Sequence, residues 1–222
     1  MTKVVAILVA AGLGQRMGKD KMFLPLAGKP VIAWSLDTLQ NSKAVGSIVL
    51  VMHKDATDMG RKLVSHNHWS KVNVICEGGE RRQDSVRNGL GLINNTDWVL
   101  IHDGARPFLT AKLIDDGLEA AVETGAAAAA VEVKDTIKQV DDSGIVRKTL
   151  QRNMLRIVQT PQVFRFDLLK KAYDLAGGEF TDDAGIVERA GYRVKLYQGE
   201  YENIKITTPE DMVLAEIIAK AR

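Results

Sequence analysis

Residues 10 to 21 read Ala10, Ala11, Gly12, Leu13, Gly14, Gln15, Arg16, Met17, Gly18, Lys19, Asp20, Lys21. Glycines allow positive φ and let backbone N–H groups approach an anion, which is how glycine loops after a first strand hold phosphates. Arg16 and Lys21 add a planar fork and a mobile point charge. A nucleoside triphosphate needs several such cations, because transfer of a phosphoryl-type group is catalysed chiefly by positioning and by countering growing charge. Asp103 ends an apolar run, where a hard carboxylate holds Mg²⁺ while triphosphate and water fill the other positions; its plainer role is to cap a turn. A second glycine turn, Gly78 and Gly79, precedes a helix and sets Glu80 and Ser85 beside the same edge. Arg106, Arg152 and Lys205 each neighbour small or hydroxyl residues (Gly104, Thr149, Thr207), a setting that suits a phosphomonoester.

Competing chemistries fit less well. A dinucleotide fold expects glycine where Met17 stands, and an acid where His53 and Lys54 follow their strand. Serine hydrolase chemistry lacks its Gly-x-Ser-x-Gly. His66 and His68 have no third ligand at useful spacing, and His102 points to the opposite side of a strand from Asp103, which makes it structural. Cys76 is the sole cysteine, so disulfides and cysteine metal sites are excluded and a buried structural thiol is expected.

These residues must be positioned by alternating strands and helices, the pattern of a mostly parallel sheet covered on both faces. Strands are expected at Val4–Val9, Ser47–Met52, Val72–Cys76, Trp98–Ile101, 126–133 and Tyr192–Tyr197. Helices are expected from Pro30 through Leu39, at Asp55–Val64, through Leu90 and Leu92, at Ala111–Thr124 with Gly125 as stop, at Asp167–Ala176, at Ala184–Ala190 and from Thr208 to Lys220. The five alanines at 126–130 favour helix by propensity, but Gly125 and the alternating Val131, Glu132, Val133 favour a strand. Residues 136–150 read as a polar hairpin poor in core residues, a β-arm that projects from one domain spanning 1–222.

The chain has 222 residues, 45% of them hydrophobic and 26% charged, with a net charge of +2. That is ample for a core and far from the basic excess of a nucleic-acid tracker, so no nucleic acid is expected as partner. No apolar run approaches the roughly 18 residues of a bilayer span, so no membrane partner is expected either. The apolar N-terminus imitates a signal peptide, but cleavage at Ala10 or Ala11 would cut into the glycine loop, which argues for the cytoplasm.

The motifs AAGLGQRMGKDK, GGERRQDSVRNGL, IHDGARP, VKDTIK, LQRN, QTPQ, TDDAGIVE and NIKITTPED stand in this order along nearly the whole chain. Together they resemble the 2-C-methyl-D-erythritol 4-phosphate cytidylyltransferases of the non-mevalonate isoprenoid pathway. The resemblance implies an α/β, Rossmann-like nucleotidyltransferase sheet, mostly parallel but mixed, with a projecting β-arm that interlocks a homodimer. It implies transfer from CTP to methylerythritol phosphate with Mg²⁺ as cofactor and release of pyrophosphate. By that resemblance Arg16, Lys21 and Lys205 are the catalytic cations at the α-phosphate and Asp103 is the metal ligand. Ala10, Ala11, Gly12, Gly14, Gly79, Glu80 and Ser85 bind CTP with Asp103, while Arg106, Thr136, Arg152 and Thr160 bind methylerythritol phosphate. The chain departs from the family pattern in a short segment between Arg16 and Lys21 without the usual proline, which makes Lys19 an alternative to Lys21, although the following Met22, Phe23 and Leu24 favour Lys21. Gln151 also stands where an acid is common. The alternatives are the sibling ribitol 5-phosphate cytidylyltransferase, disfavoured by Ala10–Gly12 and by Thr181–Ala184, and a non-catalytic nucleotide-binding regulator.

Overall fold

A computed structural model of the protein describes residues 2–12 and 21–222. Its centre is a seven-stranded sheet. The strands are β1 (Val4–Ala10), β4 (Ser47–Met52), β5 (Val72–Glu77), β6 (Trp98–Asp103), β7 (Ala126–Glu132), β10 (Arg156–Arg165) and β11 (Lys195–Gln198), arranged β11-β7-β10-β6-β1-β4-β5. Only β10 runs against its neighbours; every other pair is parallel. The remaining strands are short: β2 (Pro25–Leu26) and β3 (Lys29–Pro30) form one two-stranded ladder, and β8 (Lys138–Val140) and β9 (Val146–Thr149) another. That second ladder is the hairpin expected within 136–150, and Val140, Ile145 and Val146 stand exposed on it.

Parallel strands require crossovers, and helices supply them on both faces. The helices are α1 (Val31–Asn41), α2 (Thr57–His66), α3 (Arg82–Leu90), α4 (Ala111–Thr124), α5 (Phe166–Leu175), α6 (Asp183–Arg189) and α7 (Pro209–Ala221). The period of two along β1 divides the core. Ala6 and Leu8 join Leu36 and Leu39 of α1 and Ile114 of α4, whereas Ile7 and Val9 join Val86 and Leu90 of α3, Leu169 of α5 and Val187 of α6. Each fully buried Leu, Ile or Val contributes about 1.5–3 kcal/mol of transfer free energy, so a strand buried on both faces is fixed in register. A third cluster seats α7 through Ala215 and Ala219 against Leu26, Phe108 and Ile206.

The alanine run is a strand, β7, with Ala126–Ala130 all buried. Tertiary burial outweighs helix propensity here, since methyl side chains fill the narrow space beside α4. Gly125 takes φ 81° as the left-handed stop of α4. Three expectations need correction. Pro30 precedes the first turn of α1 as its N-cap and pairs with Pro25. The strand expected from Tyr192 starts at Lys195, because Gly191 at φ 87° closes α6 and the Tyr192 N–H donates to Val187 O. Leu92 lies beyond α3 and is exposed.

Candidate active site

Register alone gathers the chemistry. Across the sheet Val9 pairs with Asp103, Ala10 with Met52, and Met52 with Glu77, so four parallel strands end at one edge. There the chain leaves β1 for the glycine loop, β4 for His53 and Lys54, β5 for Gly78 to Glu80, and β6 at Asp103. Strand order reverses beside β1, with β4 and β5 on one side and β6 on the other, and open α/β sheets bind ligands at such a switch point. A cavity of about 730 Å³ opens at this edge. Ala11, Gly12, Lys21, Gly79, Glu80, Ser85, Asp103 and Lys205 line it, together with Arg81, Arg82 and Thr207.

At the β5 end the turn is held by Ser85. The Gly79 N–H donates to Ser85 Oγ at 3.1 Å and the same hydroxyl donates to Arg81 O at 3.2 Å. Gly78 N–H donates to Met52 O at 2.8 Å, which prolongs the β4–β5 ladder. A Cβ on Gly78 would collide with the Cβ of Ala11 and lie 2.7 Å from Ser85 Oγ, so the segment after β1 and the turn after β5 approach as closely as only glycine permits. The turn presents backbone groups at fixed positions while Glu80 stays exposed.

At the β6 end stands a row of alternating charges. Asp103, whose side chain is 9% exposed, accepts from Arg82 Nε at 2.9 Å through Oδ1 and from Lys205 Nζ at 2.7 Å through Oδ2. Arg82 Nη2 lies 2.9 Å from Oδ2 of Asp183, a wholly buried carboxylate whose Oδ1 accepts from the Tyr173 hydroxyl at 2.5 Å. Burial by itself would raise the pKa of Asp103, but Arg82 and Lys205 outweigh it and hold the group far below the usual carboxylate range. Lys21 begins a 3-10 turn, Lys21–Phe23, and its Nζ donates to Ile206 O at 2.9 Å, beside Lys205 in the chain.

Behind Asp103 a second network ties β6 to β10. His102 is fully buried, and its Nε2 lies 3.0 Å from Arg106 O. A carbonyl only accepts, so Nε2 carries the proton and Nδ1 accepts from the Thr160 hydroxyl at 3.1 Å. Thr160 Oγ1 in turn accepts from the Asp103 N–H at 3.0 Å. Burial pushes His102 down to about 4, so it is neutral at working pH. Arg106 Nη1 donates to Asn203 O at 2.7 Å, and its Nε is buried with no hydrogen-bond partner among the described residues. Asn203 Nδ2 donates to Thr160 O at 2.8 Å.

The predicted residues therefore fall into groups. Ala11, Gly12, Gly79, Glu80, Ser85, Asp103, Lys21 and Lys205 line one cavity, whereas Ala10 is buried and does not line it. Arg106 and Thr160 belong to the network behind it. Thr136 and Arg152 sit exposed at the root of the hairpin, where Arg152 Nη1 donates to Lys134 O at 2.7 Å, and they do not line the cavity of their own chain. Gly14, Arg16 and Lys19 lie outside the described residues. Cys76 is half-buried where a buried structural thiol is expected, and burial raises its pKa, which keeps it a thiol.

Arg82 and Asp183 were not singled out by sequence reasoning. Helical phase would have found them. Arg82 shares a face with the buried Val86 and Gly89, whereas Arg81 points outward and pairs with Asp84; Asp183 shares a face with Ile186 and Val187, whereas Asp182 caps α6 at Gly185 N–H.

Among the described residues no cluster of three His, Cys, Asp or Glu side chains could cage a metal. Asp103 offers a carboxylate at the β6 end of the cavity, with Glu77 and Glu80 on its β5 side, a donor set that fits a hard divalent cation completed by phosphate oxygens and water.

Comparison with known proteins agrees with this geometry. The family model "2-C-methyl-D-erythritol 4-phosphate cytidylyltransferase" matches residues 4–221. A relative of that name from Dehalococcoides mccartyi is 51% identical over 219 residues, covering 98% of this chain and 96% of the relative. One from Clostridium perfringens is 44% identical over 225 residues, covering 99% and 100%. Among solved structures, a 4-diphosphocytidyl-2C-methyl-D-erythritol synthase from Anaerococcus prevotii superposes with TM-score 0.88 at 32% identity over 99% of this chain and 96% of that one. A 2-C-methyl-D-erythritol 4-phosphate cytidylyltransferase from Thermus thermophilus gives TM-score 0.80 at 33% identity, covering 99% and 100%.

Proposed function

The chain belongs to the 2-C-methyl-D-erythritol 4-phosphate cytidylyltransferase family, and we propose that its cavity performs the family's transfer by direct attack of one anion on another. The enzyme transfers the cytidylyl group of CTP to 2-C-methyl-D-erythritol 4-phosphate, in non-mevalonate isoprenoid precursor synthesis, and releases pyrophosphate.

The substrate phosphate is already an anionic nucleophile, so no general base is needed, and the barrier lies in bringing two anions together. The turn held by Ser85 reads the cytosine and ribose through Gly79 and Glu80, with the main chain of Ala10, Ala11 and Gly12 opposite. Lys21 and Lys205, joined by Arg16, counter charge on the phosphates as the α-phosphorus becomes pentacoordinate. Arg106, Thr136, Arg152 and Thr160 take the methylerythritol phosphate. The single observation that carries this reading is that Asp103, Lys21 and Lys205 share one cavity with the Ser85-held turn. A divalent metal is generally expected in nucleotidyltransferases; here Asp103 would hold Mg²⁺, which supplies charge neutralisation on the triphosphate.

The protein acts as a cytoplasmic homodimer: the exposed apolar side chains of the β8–β9 hairpin, with Met154, Ile157 and Val158 beside it, supply a sticky arm, and a partner's arm would complete a phosphate pocket that Thr136 and Arg152 do not reach in their own chain. No helix among the described residues is long and apolar enough to cross a membrane.

Pyrophosphate release from each nucleoside triphosphate, with methylerythritol phosphate or ribitol 5-phosphate and with or without Mg²⁺, tests this reading. Metal-dependent release with CTP and methylerythritol phosphate is expected. Turnover with ribitol phosphate alone would overturn the substrate, and metal-independent turnover would remove the role given to Asp103.

A further inference from the structure

In the row Tyr173, Asp183, Arg82, Asp103 and Lys205, the first three take no part in the transfer, and Asp183 is the charged one farthest from the cavity. Asp183 is wholly buried, stands on α6 and is separated from the cavity by Arg82. A buried carboxylate that only neutralised an arginine would be an expensive device, since a well-packed apolar pair of the same volume is often as stable. Its position suggests another task. Arg82 touches both carboxylates, Asp183 through Nη2 and Asp103 through Nε, each at 2.9 Å. Were Arg82 to serve Asp103 alone, Asp103 would carry a full arginine charge and the Lys205 charge together, and its attraction for a further cation would be cancelled.

The geometry points to Asp183 as a positioning residue that keeps Asp103 available to a divalent cation, by neutralising Arg82 and by turning its guanidinium so that it engages Oδ1 and leaves Oδ2 to the cavity. Oδ2 is the oxygen that Lys205 reaches at 2.7 Å. Lys205 is a flexible side chain, 37% exposed, and can move; Arg82 is only 22% exposed and is held at both ends. The Tyr173 hydroxyl fixes the far oxygen of Asp183, so the whole row is set from α5. The inference rests on Asp103 as metal ligand in the reading above.

The test is Mn²⁺ affinity, read by electron paramagnetic resonance on the enzyme with a non-hydrolysable α,β-methylene CTP, beside steady-state activity against metal concentration. Asp183→Asn keeps the shape and can still accept from Tyr173, so it is expected to fold. Its Mn²⁺ dissociation constant should rise at least tenfold, since one uncompensated charge within about 10 Å of a divalent ion at an effective dielectric of about 20 is worth more than that factor, while kcat at saturating metal changes little. In an Arg82→Gln background the same substitution should leave Mn²⁺ affinity unchanged, because the charge it compensates is gone. A merely structural Asp183 would lower the melting temperature of the otherwise wild-type enzyme and leave metal affinity alone in both backgrounds, and that result overturns the proposal. Asp103→Asn separates the two levels: if it binds Mn²⁺ like the wild type, the metal reading itself falls and this inference with it.

Discussion

Replacing Asp103 by Asn should damage both stability and catalysis, in amounts that the surroundings of its carboxylate set. The side chain is 9% exposed and meets Arg82 and Lys205 at 2.9 and 2.7 Å. Removing one partner of a buried ion pair costs about 3–5 kcal/mol. The Arg82 pair belongs near the lower end of that range, and the Lys205 pair, being partly solvated, adds roughly 0–1 kcal/mol. A total near 3 kcal/mol corresponds to a fall of about 6–12 °C in Tm for a chain of this size. The pH dependence has a definite sign. Because the folded pKa is depressed, the contribution of Asp103 is fully present above the unfolded carboxylate value of about 3.9 and is lost as pH falls from there toward the folded value. The difference in Tm between wild type and variant should therefore be flat from neutral pH down to about 5 and shrink below about 4. Loss of the proposed metal ligand should lower kcat by about a hundredfold or more, as does loss of one preorganised charge contact elsewhere. Calorimetry across pH with a coupled pyrophosphate assay measures both. An unchanged kcat with unchanged Mg²⁺ dependence would refute the role of Asp103, and a Tm gap that widens in acid would refute the electrostatic cause.

Three further outcomes follow from particular contacts. Gly78→Ala places a methyl group against Ala11 and Ser85; overpacking of about 1–3 kcal/mol should accompany a clear rise in the KM for CTP, and a normal KM would show that the two loops need not approach. Lys21→Ala should lower kcat strongly with modest loss of CTP binding, and if the rate is unchanged while Lys19→Ala abolishes it, Lys19 takes the role. Deletion of residues 139–146 removes most of the hairpin that carries Val140, Ile145 and Val146; light scattering should then report a monomer, whereas an intact dimer would refute the arm's interlocking role.

The strands were legible because β-branched and apolar runs such as Ser47–Met52 are buried on both faces and have few other ways to fold. The glycine stop at Gly125 and the cap at Thr208 were equally local signals. What escaped was non-local. β10 extends through Gln162 to Arg165 because it pairs with β6 and β7, partners that nothing in its own sequence announces. The site showed the same division. Asp103 and Lys205 stood out by residue type, but their salt bridge joins positions 102 residues apart. Arg82 was hidden beside Arg81, and only the phase of α3 tells which of the two turns inward.

The transfer proposed above is a single direct displacement at the α-phosphorus of CTP, driven by cations and without a protein nucleophile. The stereochemical course tests it most directly, with CTP made chiral at the α-phosphorus by sulfur substitution and the configuration of the diphosphocytidyl product read by ³¹P spectroscopy. One in-line attack by the substrate phosphate predicts inversion of configuration. Retention would require two displacements through a cytidylylated side chain and would contradict the mechanism.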